Sequence, residues 1–256
     1  GRRFGGMGGF GWMGTGLGYF LGGAFSQFFG YFWSFIFLTL LMLASCFLIL
    51  LWVPSYRARK AEERFNSALL RRLSPNLRTW LIITFVSSLV IGPVEVMVIP
   101  LYAVQPGPLG IDKVVFGSFM AVSYILTSST QFIGGSMADK YGRRRLASLF
   151  RLISAPFIMA QPVFPYFAYF GSMYILEGVG EGLAGPCNSA MIACSVRTEH
   201  RGFDYSLVNL SGNVGSTIGF LVLGSTLDTI GFAYPFFVRA LAYVFLAMLI
   251  YLKLKD

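Results

Sequence analysis

The chain has 256 residues, 55% of them hydrophobic and 12% charged, and its mean hydropathy is +0.67. That balance excludes a soluble globular domain and marks an integral membrane protein. The formal net charge of +9 comes from basic residues in short stretches between apolar runs, where they set orientation and do not recruit nucleic acid. Cys46, Cys187 and Cys194 lie inside apolar runs without a C-x-x-C spacing. Neither a disulfide framework nor a metal site is expected, and no cofactor is implied.

A hydrocarbon core about 30 Å thick needs roughly 20 apolar residues per helical span. Eight segments qualify: Phe4 to Phe25, Tyr31 to Val53, Thr79 to Val104, Val114 to Ala138, Leu146 to Phe167, Ala168 to Val196, Phe203 to Leu227 and Gly231 to Leu252. Lipid-exposed backbone cannot go unpaired, and long uninterrupted runs exclude the alternation of a barrel, so all eight are predicted helices of an all-α polytopic membrane protein. The longest polar stretch, Pro54 to Arg78, reads as a linker along the headgroups, with Pro75 as a break. It divides the chain into a two-helix part (1–53), the linker (54–78) and a six-helix part (79–256). Trp33, Trp52, Tyr56 and Trp80 fall near segment ends and read as interfacial anchors.

Seventeen of the twenty Lys and Arg residues fall on one side of these spans, Lys113 alone falls on the other, and Arg151 and Arg239 lie within helices. The asymmetry predicts a multi-pass protein of the cell membrane with both ends of this chain cytoplasmic. Five of the charges crowd into the turn Gly135-Ser-Met-Ala-Asp139-Lys140-Tyr-Gly142-Arg143-Arg144-Arg145, between two long apolar runs. The first helix pair also overlays the last at an offset of 201. Gly1, Gly11, Gly14, Gly18, Gly23 and Gly30 fall on Gly202, Gly212, Gly215, Gly219, Gly224 and Gly231. Both copies run the same way, as in a parallel repeat of helix bundles. With a six-helix unit, the chain holds the last two helices of one unit and all six of the next.

The turn resembles the loop motif of the major facilitator superfamily, G-x-x-x-D-(R/K)-x-G-R-(R/K), through Gly135, Asp139, Lys140, Gly142, Arg143 and Arg144. The resemblance extends over the whole chain, which then looks like helices five to twelve of a twelve-helix, two-bundle fold whose N-terminal helices are missing. By that resemblance the turn closes a cytoplasmic gate against the start of the first helix, Gly1 to Phe4. The first helix also resembles the fifth-helix glycine motif of proton-coupled drug exporters at Gly5, Gly14, Gly18, Gly22 and Gly23, departing from it at Tyr19, where the family has proline. Taken by itself, the spacing of Gly14, Gly18 and Gly22 forms a smooth packing stripe, for which Gly117, Ala121, Ser128 and Gly135 offer a partner face.

Ionisable groups inside a span cost several kcal/mol and mark function or a paired network. Glu95 follows Pro93 in the third segment, and Glu177 and Glu181 lie four apart on one face of the sixth. By the resemblance their helices line a central cavity, where close, desolvated carboxylates carry protons or hold a cation. Glu181 is the first candidate for proton carrier. Glu95 and Glu177 are candidates for the same site, with an ion pair to Arg239 or Arg151 as the alternative. Asn209 and Asn213 add polar atoms that line the path or bond across helices. The expected partners are a small-molecule substrate, protons, the lipid bilayer and the missing N-terminal helices of the same chain. The expected function is secondary transport by alternating access, as proton-coupled efflux of apolar or cationic compounds, with symport or facilitated uptake of a small metabolite as the alternative. An enzyme is not expected, because the one histidine, His200, sits in a loop beside Arg201 and no Ser-His pair can form in the bilayer.

Overall fold

A computed structural model describes residues 2–52 and 73–254. Among these residues run eight helices: α1 (Arg2–Phe28), α2 (Gly30–Trp52), α3 (Pro75–Ala103), α4 (Lys113–Tyr141), α5 (Arg143–Ala160), α6 (Phe167–Ser195), α7 (Arg201–Ile230) and α8 (Ala233–Lys253). No strand occurs among the described residues, so the all-α class expected from the apolar runs holds. Helices α2, α3, α7 and α8 are each long and apolar enough to cross a membrane on their own. Two of the others are diluted by polar or small residues turned inward: α4 buries Ser123, Thr127, Ser128 and Gln131, and α6 buries Glu177, Gly180 and Gly182.

Several boundaries differ from the sequence reading for identifiable reasons. Most of the predicted linker, residues 54–72, lies outside the described residues, and Tyr56 with it. Pro75 is the first residue of α3 and not a break. Ser74 caps it by accepting from the Leu77 N–H at 3.2 Å, and proline suits a first helical position whose N–H has no intrahelical acceptor. Helix α5 ends at Ala160 instead of running to Phe167, because Pro162 and Pro165 follow. The charged turn is much tighter than a seven-residue loop. Helix α4 continues through Tyr141, α5 begins at Arg143, and Gly142 at φ +89° is the single residue between them, in a region that disfavours any side chain. Trp80 is only 2% exposed and belongs to the core, not to an interface.

Within α3, the backbone widens into a π-helical turn at Val94–Val98, where the Ile99 N–H reaches back to the Val94 carbonyl. Pro93 has no N–H to give, which explains the disturbance of the ladder at this point. Two apolar cores flank the turn. One gathers Trp80, Ile83, Ile91, Met191, Tyr243 and Ile250. The other gathers Val98, Tyr102, Tyr124, Phe170, Tyr174 and Phe236.

Helix α1 packs along α4. The small-residue face of α4 is the one the sequence offered, but the matching glycines of α1 differ from those read as a stripe. A methyl group on Gly5 would stand 2.6 Å from the Gln131 carbonyl oxygen and 3.4 Å from Gly135 Cα, and one on Gly16 would stand 3.1 Å from the Ala121 oxygen. Gly23 meets the Lys113 oxygen at 2.7 Å, and the Ser128 hydroxyl donates to the Gly9 carbonyl at 2.8 Å. Gly14, Gly18 and Gly22 meet nothing within 4 Å. The contacting set Gly9, Gly16 and Gly23 repeats every seven residues, the spacing that keeps one seam against a neighbour along a long crossing. The offset-related helix α7 packs on α3 through Gly212, Gly215 and Gly219, with a methyl on Gly215 standing 2.5 Å from the Phe85 oxygen.

Candidate functional site

Glu95, Glu177 and Glu181 come together. Glu177 and Glu181, one turn apart on α6, face Glu95 from the π turn of α3 across a cavity of about 70 Å³. Arg239 of α8, Tyr124 of α4 and Tyr243 of α8 close it, and Trp12 of α1 adds a wall from the helix pair preceding the linker. The site lies between the two apolar cores, since Tyr243 belongs to one and Tyr124 and Tyr174 to the other.

The three carboxylates are held very differently. Glu177 is 3% exposed and fully engaged. Arg239 Nη2 donates to its Oε1 at 2.6 Å, Gln161 Nε2 to its Oε2 at 2.9 Å, and the Tyr243 hydroxyl lies 3.3 Å from Oε1. Glu95 is partly buried. It accepts from the Tyr124 hydroxyl at 2.9 Å and stands 3.8 Å from Arg239 Nη2. Glu181, also partly buried, has the Tyr243 hydroxyl at 3.4 Å. The Tyr243 hydroxyl carries one hydrogen and stands within reach of two carboxylates, so it can donate to only one of them at a time.

The ion pair weighed as the alternative for the acidic residues is present, but it takes Glu177 and not Glu181. Arg239 is itself 2% exposed, and its Nε and Nη1 have no hydrogen-bond partner. Arg151 lies inside the bundle. It is 6% exposed, and its guanidinium lies 5.5 Å from the centre of the Tyr243 ring, whose centre stands 5.8 Å from that of Arg239.

Asn209 and Asn213 are exposed on α7 and lie outside this cluster. Gly14, Gly18 and Gly22 are also apart from it. Gly18, Gly22 and Gly23 line a separate opening of about 920 Å³ together with Lys113 and Asp228. Sequence reasoning missed Tyr124, Tyr243 and Gln161, which hold the carboxylates. It also missed the pair of aromatic rings on α1, Trp12 and Tyr19, that stack on Tyr124 at 5.0 and 5.3 Å. A tyrosine or glutamine in an apolar run carries no cost signal comparable to a carboxylate, which is why these went unread.

The charged turn occupies a different place. Asp139 lies 3.7 Å from Arg143 Nη2, and Arg143 Nη1 reaches Cys194 Sγ of α6 at 3.2 Å. Arg144 Nη1 donates to the Leu254 carbonyl at 3.0 Å, just past the end of α8. Lys140 lies over the Tyr141 ring at 5.1 Å. Gly1 is not among the described residues, and the side chains of residues 2–4 are likewise not described. The nearest described part of the predicted gate partner is Gly5, against Gly135. A second buried charge pair sits nearby. Asp204, fully buried in the first turn of α7, accepts from the Arg197 backbone N–H and Nε at 3.0 Å each.

Apolar helices closing on a buried, partly charged cavity define a polytopic membrane protein with a polar site inside its bundle. Residues 107–256 match the family model of the Major Facilitator Superfamily, and the chain belongs to that family. No curated protein matches the chain. The family's members carry small molecules across membranes, so secondary transport is the function class of this chain.

Proposed function

We propose that this chain forms part of a proton-coupled exporter of apolar or cationic compounds, with both ends of the described bundle on the cytoplasmic side. The observation that carries this reading is the unequal partnering of the three carboxylates. Glu177 is spent in its pair with Arg239, while Glu181 keeps a single long contact. A carboxylate without a fixed counter-ion can change partners without stranding a buried charge, whereas one paired to a buried guanidinium cannot. Glu181 is therefore the exchanging group. Tyr243 transfers its single hydrogen bond between Glu181 and Glu177 as the proton comes and goes.

Glu95 couples that exchange to bundle movement. Its hydrogen-bond donor, Tyr124, is clamped between Trp12 and Tyr19 of α1. When α1 moves against α4 during alternating access, the clamp opens and Glu95 loses its donor. Three carboxylates against the single guanidinium of Arg239 line the cavity, which supports a cationic substrate over an anionic metabolite. The charged turn closes the cytoplasmic gate, with Asp139 on α4 and Arg143 on α5 moving together about Gly142. The only histidine, His200, lies outside the cavity, so no imidazole base serves it and the chain acts as a carrier, not an enzyme.

The test uses the full-length chain in proteoliposomes with a tetraphenylphosphonium-type cation as substrate. An imposed proton gradient is expected to drive efflux in the wild type. Glu181→Gln is expected to lose at least ten-fold of the gradient-driven rate while retaining gradient-independent exchange. Equal gradient response in Glu181→Gln and wild type would sink the proton-carrier role. Accumulation of substrate down the proton gradient would replace export with symport.

A further inference from the structure

Helices α5 and α8 are neighbours, and the start of α5 meets the end of α8, as the bond from Arg144 to the Leu254 carbonyl shows. Down this seam runs a groove of about 510 Å³ that the transport site does not use. Its α5 wall is Arg145, Ser148, Leu149 and Leu152, spaced three, four and seven residues on, so these side chains line one strip of the helix. Met248 and Leu252 face them from α8. The four apolar residues are 43–72% exposed, and α1 packs on α4, leaving this seam open to the bilayer.

One end of the groove is basic. Arg145 is exposed at its mouth, beside Arg144, whose guanidinium lies 5.5 Å from the Tyr251 ring centre. The basic end and the apolar strip lie on one line, and from Arg145 to Leu152 that line is about 10 Å long.

We propose that this groove is a binding site for an anionic phospholipid. The phosphate sits against Arg145, and one acyl chain lies along Leu149, Leu152, Met248 and Leu252. The charge of the mouth selects an anionic over a zwitterionic headgroup, and the length of the apolar strip selects a lipid over a free phosphate. The lipid then ties the ends of α5 and α8 together at the level of the charged turn.

Native mass spectrometry of the full-length chain, taken from micelles holding equal phosphatidylglycerol and phosphatidylcholine, tests the assignment. The wild type is expected to retain phosphatidylglycerol about five-fold over phosphatidylcholine, the worth of one near-surface cation. Arg145→Gln is expected to bring the ratio to parity, and Leu149→Trp, which fills the strip, to release both lipids. Arg201→Gln, a change to an exposed arginine away from the groove, is expected to leave the ratio unchanged. Parity in the wild type overturns the site. So does an unchanged ratio in Arg145→Gln, or an equal loss in Arg201→Gln, which would make the preference a general effect of surface charge. Arg145 is exposed and its change is compatible with folding, so the outcome does not depend on whether Leu149→Trp folds.

Discussion

Two arginine–carboxylate pairs mark opposite extremes of this molecule. Arg239 and Glu177 meet at 2.6 Å with side chains 2% and 5% exposed, whereas Arg143 and Asp139 stand 3.7 Å apart with side chains 34% and 46% exposed. The chemistry is the same, and the surroundings reverse its consequence. Two charges taken out of water pay a desolvation cost that a close partner offsets, so removing either one strands the other. At the surface, water already solvates both, and the pair adds little to stability. The buried pair therefore holds the bundle in one arrangement, and the exposed pair contributes little to that hold.

The largest effect is expected from Arg239→Gln, which leaves Glu177 buried without its counter-ion. A loss of about 3–5 kcal/mol is expected in thermal unfolding of the full-length chain in micelles. Pairing that change with Glu177→Gln should recover most of the loss, and a double variant as unstable as the single one would show that packing, not charge, dominates. Asp204→Asn tests an intermediate case, because Asp204 is fully buried while its partner Arg197 is 19% exposed at the side chain. A loss of about 2 kcal/mol is expected, since three charge-assisted bonds weaken but the arginine keeps access to water. The smallest change in stability belongs to Asp139→Asn, under about 1 kcal/mol. If that variant melts with the wild type yet transports poorly in proteoliposomes, the exposed pair acts in the gate. A large drop in melting temperature would place it with the structural pairs.

The parts legible in the sequence are those where a residue breaks a strong local rule. Glu95, Glu177 and Glu181 stood out because a carboxylate in a 20-residue apolar run is costly, and their helices do bring them to one cavity. The eight helices were legible because lipid leaves the backbone no alternative. What escaped was whatever depends on rotation about a helix axis. Gly14, Gly18 and Gly22 keep ideal four-residue spacing but face away from α4, because a long helix pair follows a seven-residue seam through Gly9, Gly16 and Gly23. Asn209 and Asn213 are exposed on α7, apart from the three carboxylates. Trp80 was read by its closeness to a segment end, and burial on the inner face of α3 overrode that position.

The π turn in α3 is a matter of phase. Trp80, Ile83 and Ile91 are buried before it, Val94 and Val98 within it, and Ile99, Tyr102 and Ala103 after it. In an unbroken helix the last group would point roughly 100° away from the first, the angle one residue subtends. The extra residue in the i→i+5 turn winds the helix back by about that amount, so a single element presents both apolar groups to the same bundle. Glu95 sits inside the turn itself, between the buried Val94 and Val98. Losing one residue there would swing Tyr102 out of its cluster of rings while leaving Trp80 in place.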